Sequence, residues 1–117
     1  MASGSIPNTA LYVTDYGTDS ATGAYYRKWS DGRKECWVEK PVSSTLSAGA
    51  TNQVYIAFPT GLFTVSAMAV GSVMANGYQF VHPAYIQCNA AGADTYIKNF
   101  GSSNVANYRI RLYAYGT

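Results

Sequence analysis

Charge is scarce in this sequence. Asp, Glu, Lys and Arg make up 12% of the residues, about half the share usual for a soluble protein. The 8 basic and 6 acidic side chains leave a net charge of +2, without the clustered basic stripe expected of a nucleic-acid binder. Arg27, Lys28, Arg33 and Lys34 lie close together, but Asp31, Glu35 and Glu39 share the same stretch. That mixture reads as a solvated, partly self-paired hairpin. Histidine is reduced to His82, directly before Pro83, so one chain offers little for a metal. There is no G-x-S-x-G elbow, P-loop or dinucleotide glycine fingerprint, and hence no indication of a catalytic nucleophile or a cofactor. Cys36 and Cys88 stand in no metal-type or CxxC spacing and are expected as free thiols behaving as small hydrophobes. No apolar run approaches the ~20 residues that span a bilayer, and no secretory signal is expected at the N-terminus.

What is abundant points to strands. The chain holds 11 Tyr, 4 Phe and 2 Trp together with 11 Gly, and Val, Ile and Thr are frequent. At 117 residues it has room for one domain with a thin core. Few charges and many tyrosines imply that much of the surface lies against an oligomer partner or a ligand.

Residues 1–23 are rich in Ser, Thr, Gly, Asn and Asp, and are read as a linker or an arm pairing with the domain edge, with 1–5 a linker remnant. The domain proper is assigned to residues 24–117. Ala24–Ser30 and Arg33–Glu39 flank Asp31-Gly32, a strong hairpin signal. A two-residue type I′ loop would set Ser30 opposite Arg33, Lys28 opposite Glu35, and Tyr26 opposite Trp37. Residues 41–52 read as a connector. Val54, Ile56 and Phe58 alternate along a strand that Pro59 stops. Residues 62–71 are expected as the next strand, with Phe63, Val65, Ala67 and Ala69 on one face. Asn76-Gly77 is a second hairpin signal. Beyond Pro83, residues 85–88 are either a bent continuation or a separate strand, and residues 89–94 read as a loop. Tyr108, Ile110, Leu112 and Ala114 alternate with Arg109, Arg111, Tyr113 and Tyr115 in a last strand. No segment has sustained helical periodicity. Short strands with turns every ~8–12 residues predict an all-β, antiparallel sandwich.

Glycan hydrolysis needs two carboxyl groups about 5–10 Å apart. Glu35 and Glu39 would lie about 13 Å apart on one strand. Asp31 belongs to a turn, and Asp15 and Asp19 to the arm, so an enzyme is not expected unless subunits assemble the site. Binding has better material. Tyrosine gives a sugar ring a flat apolar face and a hydroxyl at low entropic cost. Tyr78, Gln79, His82, Tyr85 and Gln87 gather in one stretch of sequence, followed by Asn89, Asp94, Tyr96, Asn99 and Asn104. They are the candidate binding residues.

The run Gly23-Ala24-Tyr25-Tyr26-Arg27-Lys28-Trp29-Ser30-Asp31-Gly32, followed by Glu35-Cys36-Trp37, resembles the opening signature of C-terminal domains of bacteriophage tail-fibre proteins. Ile56-Ala57-Phe58-Pro59-Thr60 with Val65-Ser66-Ala67, and the closing Tyr108–Gly116, are similar to later parts of the same family. The resemblance covers roughly 23–117, with no match over about 72–107. It implies a homotrimeric fibre tip joined to the rest of a fibre at its N-terminal side. Such a tip is assembled in the host cytoplasm, carried on the virion, and binds a bacterial surface polysaccharide or outer-membrane protein. A tailocin tip or a trimeric glycan-cleaving enzyme are the alternatives. Since Tyr25, Trp29, Trp37 and Val38 lie in or beside the shared signature, the resemblance implies structural or interface roles for them.

Overall fold

The computed structural model describes residues 10–75 and 80–117. They form β1 (Val13–Thr18), β2 (Tyr25–Trp29), β3 (Lys34–Val42), β4 (Thr51–Ala57), β5 (Ala67–Met74), β6 (Val81–Cys88), β7 (Gly92–Asn99) and β8 (Tyr108–Gly116). All pairings are antiparallel. One sheet has the order β1-β2-β3-β8-β5, the other β4-β7-β6. The expected two-sheet, all-β architecture is present.

The core lies between the sheets and follows from period-2 alternation. β8 directs Tyr108, Ile110, Leu112 and Ala114 inward, where Cys36 and Val38 of β3 meet them. β4 and β7 answer with Val54, Ile56, Ala93, Thr95 and Ile97. Burying each large aliphatic side chain contributes roughly 1.5–3 kcal/mol. The two buried polar side chains of the core, Thr95 and Asn99, are satisfied, as burial demands. Thr95 Oγ1 donates to the Val54 carbonyl at 2.7 Å. The Asn99 amide donates to Leu46 O and Ser103 O, and its Oδ1 accepts from Gly101 N–H. Asn99 therefore clamps two loops together, which accounts for an amide in the core.

The Asp31-Gly32 hairpin forms, but its register differs by one residue. Trp29 N–H donates to Arg33 O at 2.8 Å and Gly32 N–H to Trp29 O at 3.0 Å, closing a three-residue loop. A type I′ loop needs positive φ at both central residues, whereas here Gly32 alone takes it (φ 90°). Asp31 instead accepts the Arg33 backbone N–H. Tyr25 thus faces Trp37, Tyr26 faces Cys36, and Arg27 faces Glu35. The aromatic pair and the ion pair survive, but with different partners.

Two further expectations are corrected. Leu62 and Phe63 are adjacent and both buried while Val65 is exposed, so this stretch plugs the end of the sandwich instead of alternating. The strand begins at Ala67 and runs on to Met74. Residues 92–94 belong to β7, so the β6–β7 connection is only a short turn. Pro83 does not end its strand: β6 continues to Cys88 across an irregularity between Pro83 and Tyr85. The strand β3 likewise passes through Pro41, at a height where β2 has already ended, so the missing N–H faces no partner. The Asn76-Gly77 hairpin signal lies outside the described residues.

Both ends of the described trace, which begins at Ala10, sit at one end of the sandwich. Val13 pairs with Trp29, Gly116 pairs with Lys34 and Ala67, and Cys88 Sγ donates to Ala67 O. We call this the entry end. The opposite, distal end carries the start of β4 and of β8, joined where Asn52 Nδ2 donates to the Tyr108 hydroxyl at 3.2 Å. Cys36 and Cys88 are free thiols. Burial pushes the Cys36 thiol up to about 12 and raises that of Cys88 as well.

Candidate binding face

Directly opposed residues in an antiparallel sheet project to the same side. On the outer side of the three-stranded sheet this produces three rows. Thr51, Lys98 and His82 form the distal row; Gln53, Tyr96 and Tyr85 the middle; Tyr55, Asp94 and Gln87 the row nearest the entry end. The middle row holds an aromatic pair, with the rings of Tyr85 and Tyr96 at 5.5 Å. Tyr85 is 56% exposed. The irregularity in β6 places it: after Pro83 the strand gains one residue, so Tyr85 rather than Ala84 stands opposite Tyr96. Tyr55 crosses Gly92, where a Cβ would collide with the phenol and with the Ile56 carbonyl. Glycine lets that ring lie flat on the sheet.

His82, Tyr85, Gln87, Asp94 and Tyr96 are thus brought together by the pairing of β6 with β7, including the extra residue after Pro83. Asn89 and Asn104 sit elsewhere and are occupied. Asn89 Oδ1 accepts from Ala91 and Gly92 N–H in the β6–β7 turn, and Asn104 Oδ1 accepts from Ala48 N–H. Tyr78 and Gln79 lie outside the described residues. Sequence reasoning missed Gln53, Tyr55 and Lys98. The signal for the first two was present, since inward Val54 and Ile56 oblige Gln53 and Tyr55 to point out.

The outer side of the five-stranded sheet is different. Here Tyr25, Trp29 and Trp37 share a face with Tyr113, while Val38, next to Trp37, points into the core. Trp37 lies 5.7 Å from Tyr25 and 5.2 Å from Tyr113, ring to ring. The Arg27 guanidinium stacks 4.7 Å from Trp37 and 5.7 Å from Trp29. Glu35 ties the group together by accepting the Trp29 Nε1–H at 3.0 Å and the Tyr113 hydroxyl, and it lies 3.3 Å from Arg27 Nε. Burial, and then the Glu35 carboxylate, push the Tyr113 phenol up to about 12. Beside it Glu39 receives Arg109 and Arg111 at 3.0 and 3.1 Å. Hydrogen bonds from Arg109, then from Arg111, hold the Glu39 carboxyl below the usual range. A groove of about 620 Å³ runs along this face between Tyr25, Trp37, Val70 and Tyr113. On β5, Met68 and Val70 remain 63% and 59% exposed.

No protein-family model matches the chain, and no curated protein matches it. Solved structures do. An N-truncated R1-type pyocin tail fibre is similar over 93% of this chain and 87% of that one, with a TM-score of 0.66 at 17% identity. A C-terminal portion of the R1 pyocin fibre of P. aeruginosa gives the same TM-score, 0.66, at 18% identity over 93% of this chain. The chain spans 28% of the length of that second structure. At these identities the likeness is one of fold: the two-sheet architecture is one found in the tail fibres of pyocins, which are phage-tail-like bacteriocins.

Proposed function

We propose that this chain is the receptor-binding tip of a phage-tail-type fibre and attaches the particle that carries it to a bacterial surface. The observation carrying this reading is the convergence of Tyr55, Tyr85, Tyr96, Gln53, Gln87, His82 and Asp94 on one outer face of a fibre-type fold. Stacking rings beside neutral hydrogen-bonding side chains suit a surface polysaccharide better than an outer-membrane protein, because each sugar ring presents an apolar face and a hydroxyl edge. With the rest of the fibre at the entry end, the middle and distal rows face the host.

The five-stranded face has another role in this reading. Its aromatics are tied to one another and its charges are paired within the face, so identical copies can approach it without repulsion. The exposed methionines and valine of β5, an edge strand, are a liability unless covered. We assign this face to contact between three copies of the chain, and three shallow sites per tip then act together through effective concentration. The particle is a phage or a tailocin, and the pyocin fibres among the structural neighbours favour the tailocin. Binding proceeds without bond cleavage.

Labelled protein incubated with candidate host cells, with and without their surface polysaccharide, tests the reading. Binding lost with the polysaccharide supports it. The absence of binding to every candidate host, or new reducing ends released from the polysaccharide, overturns it. In solution the expected mass is about three times 12.6 kDa, and a monomer at micromolar concentration would overturn the trimer.

A further inference from the structure

The distribution of unpaired charge carries the reading one step further. Arg27, Lys28, Arg33, Arg109 and Arg111 each meet a carboxylate, and Lys40 donates to the Tyr55 carbonyl at 2.9 Å. Lys98 is different. It stands in the central strand of the outer face, and among the described residues no carboxylate lies within ion-pair distance of it. Its ammonium lies instead 5.1 Å from the ring centroid of Phe100, a weaker partner than a carboxylate. The acid of this sheet face, Asp94, is four residues back along the same strand, about 13 Å away.

The apolar surface at this end is concentrated in the same place. Phe80 and Phe100 are 54% and 55% exposed. They are held side by side, with Phe100 N–H donating to Phe80 O at 2.8 Å, and a Cβ at position 101 would come within 3.2 Å of the Phe80 Cβ. The His82 ring lies 6.3 Å from that of Phe100, directly across from Lys98 in register. Two fixed aromatic rings, a cation and an imidazole therefore share the distal end, farthest from where the chain enters.

We propose that this distal cluster binds a saccharide bearing an anionic group, with the sugar ring on Phe100 and Phe80 and its carboxylate or phosphate on Lys98. The proposal rests on the adhesion reading and names the class of glycan. A neutral sugar would leave the ammonium unused. A cationic one would be repelled here and drawn to the Asp94 row. A single point charge accepts carboxylate or phosphate alike.

The test titrates the purified chain with three probes: an oligomannuronate, the same oligosaccharide reduced to its neutral alcohol, and a phosphorylated oligomannose. The expected result is binding of one or both acidic probes, falling with added salt, and about tenfold or more weaker for the neutral probe. Lys98→Met keeps the aliphatic stem over Phe100 and removes the charge. It is expected to reduce acidic binding to the neutral level, while Lys98→Arg restores it. The preferred acidic probe identifies carboxylate or phosphate as the group recognised. Equal binding of acidic and neutral probes, no binding of either acidic probe, or full acidic binding by Lys98→Met overturns the proposal. Host-cell adhesion separates this failure from that of the parent reading. If the wild type and Lys98→Met adhere equally well, adhesion stands and the acidic site falls. If the wild type does not adhere, the adhesion reading itself falls. An acidic peptide that competes for Lys98 while the saccharides do not would reassign the cluster to protein and likewise overturn it.

Discussion

The two outer faces of this sandwich are built from similar residues and are wired in opposite ways. On the five-stranded face, Trp29, Trp37, Tyr113 and Arg27 are all bound to one another through stacking and through Glu35. Glu39 does the same for Arg109 and Arg111. On the three-stranded face, Tyr85 and Tyr96 meet ring to ring, and among the described residues neither Asp94 nor Lys98 meets an opposite charge. Side chains already bound to each other lose little freedom when a partner covers them, which suits a permanent interface. Polar groups without protein partners keep their hydrogen-bonding capacity for a ligand. The contrast teaches that composition alone does not separate an assembly surface from a recognition surface, and that the wiring between side chains does.

The largest expected effect follows from placing a charge on the assembly face. Val70→Glu puts a carboxylate on the groove beside Trp37 and Tyr113 in every copy. It is expected to weaken association about 100-fold or more, since each copy would bury an unpaired charge. Sedimentation velocity should show monomers with a wild-type far-UV spectrum. An unchanged mass would remove this face from the assembly and dissolve the contrast. Next, Glu35→Gln tests the wiring itself. Glu35 is a shared acceptor, and its loss leaves Arg27 without its counter-ion, so unfolding stability in urea should fall by about 1–3 kcal/mol. No measurable loss would mean that the network is ornamental.

On the other face the order of effects reverses. Tyr85→Ala should leave stability within about 0.5 kcal/mol, as for exposed substitutions generally. Binding to host cells should weaken about tenfold, the scale of one lost stacking contact. Unaltered adhesion would exclude the middle row from the site.

How much of this could be read from the sequence depends on whether the information is local. The alternation of Tyr108, Ile110, Leu112 and Ala114 with outward Arg109, Arg111, Tyr113 and Tyr115 fixes one strand and both its faces, and β8 has that pattern. The Asp31-Gly32 signal located the hairpin but not its register, because the same dipeptide serves a two-residue loop or a three-residue loop that needs only Gly32 at positive φ. Leu62 and Phe63 were misplaced because burial at the end of a sandwich does not follow period 2. Strand order is non-local. Nothing near Lys98 indicates that β7 lies between β4 and β6, and only that order sets Lys98 between Thr51 and His82. The tyrosine-rich stretch was visible as a candidate site; the distal cation and its phenylalanines were not.

The smallest expected effect sharpens the comparison by chemistry instead of by truncation. Tyr113 has its phenol pushed up to about 12 from the usual 10 by burial and by the neighbouring Glu35 carboxylate. A raised value means that the folded protein favours the neutral phenol. Its contribution to stability is therefore complete below pH 10 and is lost as the pH climbs from 10 towards 12. Cys36 acts in the same direction from its usual 9 up to about 12, because burial opposes the thiolate. Urea midpoints measured across this alkaline range should fall for the wild type. Tyr113→Phe removes the phenol, so its midpoint should fall less steeply from pH 10 upward. Cys36→Ala should lessen the decline that begins near 9, to which the raised Cys88 thiol also contributes, and retain the later one. If Tyr113→Phe follows the wild-type curve throughout, the Glu35–Tyr113 contact does not persist in solution. The five-stranded face would then be as loosely wired as the three-stranded one.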